Sequence, residues 1–163
     1  CLMIFFKQLT FVICLLFLTG CGFELQNTGD LKQTINIIHI QTNDPYTVFY
    51  RNIKNQFREN GIRVTDNREE AAYVLVIEKD FSNDRVLSIS AHNTPKEYEI
   101  VYQVQWSLFK DKTQLIFNVQ HLELQDYSFD QNQLLGKSKE AEFIMDSLTT
   151  RISRAVLARL GNI

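Results

Sequence analysis

The sequence predicts an α+β domain. Two helices pack on one face of a four-stranded, mostly antiparallel sheet, in the order β-α-β-β-β-α. Three observations predict it. Tyr98, Ile100, Tyr102, Val104, Trp106 and Leu108 alternate with Glu99, Gln103, Gln105 and Ser107, the period-two signature of a strand with one buried face. Tyr46, Phe49, Tyr50, Ile53 and Phe57 recur at three- and four-residue steps, which marks one face of a helix. Ala141, Ile144, Met145, Leu148, Ile152, Ala155, Val156 and Leu160 form a longer stripe of the same kind. Two layers let every apolar face be buried at once.

Taken in order, Thr34 to Gln41 reads as the first strand, because Ile35, Ile37, Ile38 and Ile40 put β-branched side chains on both faces. Asn43-Asp44-Pro45 reads as a helix start, a cap followed by Pro at the first helical position. Gly61 reads as the stop, so a helix is predicted from Tyr46 to Asn60. Ile62 to Thr65 reads as a short extended piece and Asp66 to Glu70 as a charged loop. One long, bulged strand from Tyr73 to Ala91 is favoured over two short ones, with an apolar start and a polar continuation. His92-Asn93-Thr94-Pro95 makes a turn, and the alternating strand follows from Tyr98. Lys110-Asp111-Lys112 is a hairpin turn. Leu115, Phe117 and Val119 alternate in the next strand, and the slip of phase to Leu122 and Leu124 predicts a bulge near His121. Asp130 to Gly136 reads as a loop or a single helical turn. Asp130 and Gln133 have capping-box spacing, and Ser138 is a second candidate cap. In the last helix Glu140, Glu142 and Asp146 come early and Arg151, Arg154 and Arg159 late, which suits the helix dipole.

The N-terminal region carries a different signal. Lys7 precedes an apolar run from Leu9 to Leu18, too short for the roughly 20 residues that span a bilayer. The run ends in Leu18-Thr19-Gly20-Cys21, which resembles the lipobox of bacterial lipoprotein precursors. Residues 1–20 are thus expected to be a removed signal peptide. Residues 21–33 are expected to be a lipidated N-terminus and polar tether, and 34–163 a single domain. The resemblance implies that Cys21 is acylated and anchors the chain, and that Gly22, in place of an Asp, directs it to the outer membrane. With Cys1 and Cys14 in the signal, no cysteine is left for a disulfide or a metal site.

Loss of residues 1–20 leaves 143 residues, with 16 basic and 19 acidic side chains. That is enough chain for one real core, and no basic excess points to nucleic acid. Phosphate-binding loops, metalloprotease helices and nucleophile elbows are absent from the sequence. His39, His92 and His121 lie far apart, and each reads as a surface or edge-strand histidine. Glu78 and Asp80 share a strand face, read as a solvated one. No enzymatic activity and no cofactor is expected.

The assembled features are similar to the LPS-assembly lipoprotein family, LptE. Those features are Cys21-Gly22-Phe23 with Leu25 close behind, Lys96-Glu97-Tyr98-Glu99-Ile100 at the third strand, Tyr127-Ser128-Phe129-Asp130, and Leu134-Leu135-Gly136-Lys137 before a long last helix. The resemblance implies an outer-membrane lipoprotein that plugs and helps assemble the LptD barrel, and that takes part in placing lipopolysaccharide in the outer leaflet. It would sit in the barrel lumen or face the periplasm. Gln103, Gln105, Asn118 and Gln120 would offer a hydrogen-bonding face suited to a polar lumen. Lys137, Lys139, His92 and Lys96 are expected to meet lipopolysaccharide phosphates at one end of the body. The alternative is another periplasm-facing lipoprotein, acting as an envelope scaffold or barrel-assembly accessory. A lipid-anchored enzyme or small-ligand binder would need a concave site with converging ionisable groups.

Overall fold

The computed structural model describes residues 29–128 and 134–163. The predicted signal peptide, Cys21 and most of the predicted tether lie outside the described residues, as does Asp130. The described elements are α1 (Gly29–Thr34), β1 (Ile37–Gln41), α2 (Val48–Glu59), β2 (Arg63–Thr65), a short 3-10 turn (Arg68–Glu70), β3 (Tyr73–Ile89), β4 (Pro95–Lys110), β5 (Thr113–Ser128) and α3 (Leu134–Leu160).

The sheet has five strands, in the order β2-β1-β3-β4-β5, where the sequence predicts four. The added strand is β2, the piece expected only to be extended. Gly61 turns the chain back at φ 74°, and the Arg63 N–H donates to the Asn36 carbonyl at 3.0 Å. That contact sets β2 parallel to β1, Ile37 beside Arg63. β1 also pairs in parallel with the first residues of β3, from Ile38–Tyr73 to Gln41–Val76. The long β3–β4 and β4–β5 ladders are antiparallel. The result is a mixed sheet whose meander runs on past β1.

Core placement follows the apolar periodicities. Phe49, Ile53 and Phe57 of α2 and Ile144, Leu148, Ile152, Val156 and Leu160 of α3 join one buried cluster with Ile100, Tyr102, Val104, Trp106 and Leu108. Both long helices therefore cover the same face of the sheet. Each large side chain so buried contributes roughly 1.5–3 kcal/mol. Asn52 ties the two helices together, its amide donating to Asp146 Oδ1 at 3.0 Å and Thr149 Oγ1 at 2.8 Å.

Four local expectations are corrected. The end of the tether is helical: Leu31 is in the core, the Ile35 N–H donates to its carbonyl at 2.8 Å, and the first strand starts at Ile37 rather than Thr34. Helix α2 is capped by Thr47, whose hydroxyl accepts from Tyr50 N at 3.1 Å. Asp44 instead closes a turn by accepting from Tyr46 N at 2.9 Å, so Pro45 precedes the helix. The β5 bulge lies before His121, where Phe117 and Asn118 face Ser107 between the pairs Trp106–Val119 and Leu108–Ile116; Asn118 takes φ 48°, a conformation Asn tolerates. Helix α3 starts at Leu134, ahead of the candidate cap Ser138.

Candidate functional site

β3 runs on as an edge of the meander past Val76, the last β3 residue paired with β1. Beyond it β3 turns from mostly buried to mostly exposed, so the far ends of β3, β4 and β5 form a projecting tip. The β3–β4 turn closes it, with Ser90 N donating to the Thr94 carbonyl at 2.7 Å and Asn93 at φ 59°. That turn exposes His92, and Lys96 is exposed at the start of β4. Glu97 pairs with Ser128, the last residue of β5, and α3 begins only six positions later.

Topology thus brings the start of α3 and the His92–Lys96 turn to the same end. The charge of Glu140, in the second turn of α3, acts on the Tyr127 hydroxyl at the tip, which agrees with that placement. Lys139 is exposed. Lys137 belongs to α3 by its backbone, but its side chain lies outside the described residues. Among the described residues, His92, Lys96 and Lys139 form no ion pair.

The tip is not uniformly basic. Arg85 Nε lies 2.5 Å from the buried Glu99 carboxylate, and Ser88 Oγ donates to Glu97 at 2.5 Å, so both acids are engaged. Asp84 and Asp126 add negative charge. Tyr98 and Tyr127 stack at 5.4 Å, and the Tyr127 hydroxyl is held above its ordinary range, first by burial, then by Asp84. Beside them Val86, Leu87 and Ile89 are 43–60% exposed. Sequence reasoning missed this aliphatic tip and Arg85. The signal was present in the Val86-Leu87-Ile89 run, but alternation alone does not tell that the strand has outrun its helices.

The sheet face away from the helices is the second candidate surface. Gln103 and Gln105 on β4 and Gln120 on β5 share it, as the register dictates. Asn118 lies in the bulge, where its Oδ1 accepts from the Gln105 amide. Ser107 is fully buried there; its hydroxyl donates to Glu78 at 2.5 Å and accepts from Asn118 N at 2.9 Å. Phe81, Leu122 and Leu124 stand exposed on the same face, so it is mixed rather than wholly polar.

Asp80 corrects the reading of Glu78 and Asp80 as a solvated pair. A register shift between Ile77 and Lys79 leaves Glu78 in a bulge and turns Asp80 toward the helices. Asp80 accepts from the Thr47 hydroxyl and from Tyr102 OH, the latter at 2.7 Å. Burial pushes its carboxyl above the usual range, and the two hydroxyl donors pull it partly back. Burial, then the Asp80 charge, holds the Tyr102 phenol well above its normal value. His121 is an edge-strand residue as expected, half-buried and stacked parallel to Trp106 at 6.3 Å; burial lowers its pKa.

At the opposite end a groove of about 480 Å³ is lined by Thr34, Tyr73, Lys110, Leu115 and Ile163. Lys110 is its one ionisable side chain besides the Tyr73 phenol, and its ammonium lies 5.2 Å from the Tyr73 ring. Among the described residues, no three His, Cys, Asp or Glu side chains group to hold a metal ion, and no helix is long and apolar enough to cross a membrane.

A family model described as lipopolysaccharide-assembly, LptE, matches residues 35–160. The LPS-assembly lipoprotein LptE of Yersinia pestis (strain Pestoides F) is 27% identical over 135 residues, covering 80% of this chain and 62% of its own length. The protein of the same name from Yersinia enterocolitica is 27% identical over 95 residues, 57% of this chain and 45% of that protein. The chain thus spans about half to three-fifths of these relatives. Two solved structures have a similar fold. The rare lipoprotein B of Shewanella oneidensis aligns with TM-score 0.65 and 20% identity, over 78% of this chain and 95% of that one. A lipoprotein B of Nitrosomonas europaea aligns with TM-score 0.67 and 17% identity, over 78% and 83%.

Proposed function

This chain belongs to the LptE family, and from that premise we propose that it takes part in lipopolysaccharide assembly as the plug of a large LptD-like outer-membrane barrel. In this reading acylated Cys21 anchors the chain to the outer membrane. The helix-free face, with its amides, meets the barrel lumen, and the meander tip meets lipopolysaccharide on its way to the outer leaflet. The protein acts by binding and shaping, without catalysis.

The observation that carries the reading is the tip itself. Exposed Val86, Leu87 and Ile89 adjoin the Lys96 and His92 turn and the end of the body from which Lys139 emerges. A phosphorylated glycolipid presents acyl chains beside anionic groups. Lysine ammonium groups answer the anions as mobile point charges, and the aliphatic tip answers the chains. Reversing charge in Lys96→Asp with Lys139→Asp should weaken lipopolysaccharide binding at least about tenfold at low salt, where exposed charges act most strongly, with helical circular dichroism unchanged. Unaltered binding would return these lysines to the role of solvated surface charge. Recovery from mild detergent of a near one-to-one complex with a single large barrel protein supports the plug. Recovery with several unrelated envelope proteins would favour the scaffold alternative.

A further inference from the structure

Helix α2 ends in a complete closing motif. Asn60 is the C-cap residue, and Gly61 follows at φ 74°, a conformation that glycine adopts freely. Gly61 N–H donates to the Arg58 carbonyl at 3.0 Å, and Ile62 N–H to the Phe57 carbonyl at 2.9 Å. These are the two bonds of a Schellman turn. Phe57 and Ile62, the positions between which such a turn makes its apolar contact, are both buried in the one core cluster. The Asn60 side chain is also held, its Nδ2 donating to the Gln56 carbonyl at 2.8 Å.

Asn60 followed by Gly61 is a chemically reactive step. A glycine has no Cβ to keep its main-chain nitrogen away from the preceding side chain. We infer that Asn60 is a spontaneous deamidation site whose reactivity the α2 cap holds in check. In the reaction, base removes the Gly61 N–H proton and the nitrogen attacks Asn60 Cγ. The Cγ–Nδ2 bond breaks, the departing amide nitrogen takes back a proton from the protonated base, and it leaves as ammonia, closing a cyclic imide. Water then opens the imide, at Cγ to give aspartate or at the main-chain carbonyl to give isoaspartate. The net reaction consumes one water and releases one ammonia, and the base is regenerated.

Two contacts oppose this in the folded chain. The Gly61 proton is engaged by the Arg58 carbonyl, and the Asn60 amide is tied back to Gln56. Both are released only when the last turn of α2 opens, a local event distinct from global unfolding. The products do not fit the motif. An aspartate puts negative charge at the negative end of the helix dipole and replaces the donor that serves the Gln56 carbonyl. An isoaspartate adds a methylene to the main chain between Glu59 and Gly61. That extra length breaks the Ile62–Phe57 closure and displaces the Arg63 N–H that starts β2. A chain that lingers unfolded therefore acquires a mark that prevents it from rebuilding this edge.

The test incubates the full chain in mildly alkaline buffer, with and without urea, and follows the Asn60 peptide by mass spectrometry with isoaspartate detection. Modification should be at least about tenfold slower in the folded protein, equivalent to an opening free energy of about 1.4 kcal/mol. Ile62→Ala, which loosens the cap, should close much of that gap. If that variant fails to fold, the rate in the unaltered protein across graded urea should track hydrogen exchange of the Gly61 amide. Equal rates in folded and denatured chains, no modification in the denatured chain, or a rate independent of Gly61 exchange would each overturn the inference.

Discussion

Replacing Tyr102 by Phe removes one oxygen from the stretch where β3 runs on past β1 as an edge of the meander. The ring remains, so its packing against the core is kept. The lost hydroxyl donates to Asp80 at 2.7 Å and accepts, at the longer distance of 3.4 Å, from Phe49 N–H in the first turn of α2. A hydrogen bond to a charged group contributes about 1.5–3 kcal/mol, and Asp80 keeps only the Thr47 hydroxyl in a largely desolvated place. Tyr102→Phe should therefore cost about 2 kcal/mol at neutral pH. With a urea slope of about 2 kcal/mol per molar, the unfolding midpoint should fall by roughly 1 M. The pH dependence is a second check. Burial raises the folded-state pKa of Asp80 above 3.8, so the folded chain takes up this proton more readily than the unfolded chain. The stability tied to that proton is fully present below the unfolded value and is lost as pH rises through the folded one. Losing the Tyr102 donor raises the folded pKa further. The variant's deficit should thus be largest at neutral pH and shrink on acidification, once Asp80 is protonated in both proteins. Urea melts of both proteins at neutral and mildly acidic pH measure it. A deficit below about 0.5 kcal/mol, or one that grows as pH falls, would refute the reasoning.

His121 gives the opposite sign. Burial, only partly offset by Glu123, lowers its pKa below 6.5. Stability linked to it is thus fully present above the unfolded value and falls with pH as the unfolded chain takes up the proton first. His121→Phe keeps a ring over Trp106 and should flatten this part of the acid limb in urea melts; superimposable limbs would refute the assignment. Cys21→Ala should abolish membrane anchoring while leaving the thermal melt of the domain unchanged. A variant still membrane-bound in detergent-free extracts, with no partner present, would contradict the anchor.

The elements that could be read in advance are those whose physics is local. The alternation from Tyr98 to Leu108 defines β4 because side chains on a strand repeat every two residues, whatever lies across from them. The stripe from Phe49 to Phe57, closed by Gly61, defines α2 in the same way, and the one long β3 was expected from strand-like runs at Tyr73–Ile77 and Val86–Ser90 on either side of its polar middle. The cap was not legible: Asn43-Asp44-Pro45 predicts the helix start, but Asp44 closes a turn there and the course of the chain gives the cap to Thr47. At the candidate site, the exposure of Lys96 and His92 and their sharing of one end with the start of α3 were foreseeable from element order. Arg85, paired with Glu99 across strands, was not.

What the sequence determined by itself is the two-layer pattern, the identity of the long elements and the resemblance that carries the family. Each is a matter of spacing along the chain. What only the tertiary structure decided depends on residues far apart. Leu31 becomes core, and its polar segment a helix, only because the finished core covers it. Arg63 finds Asn36 and adds a fifth strand, a contact that no propensity in a three-residue segment encodes. Asp80 becomes a buried acceptor because a bulge turns it toward Thr47 and Tyr102. The aliphatic tip is exposed because β3 outruns the helices that would cover it. Burial belongs to the assembled fold, and for that reason local pattern could not supply it.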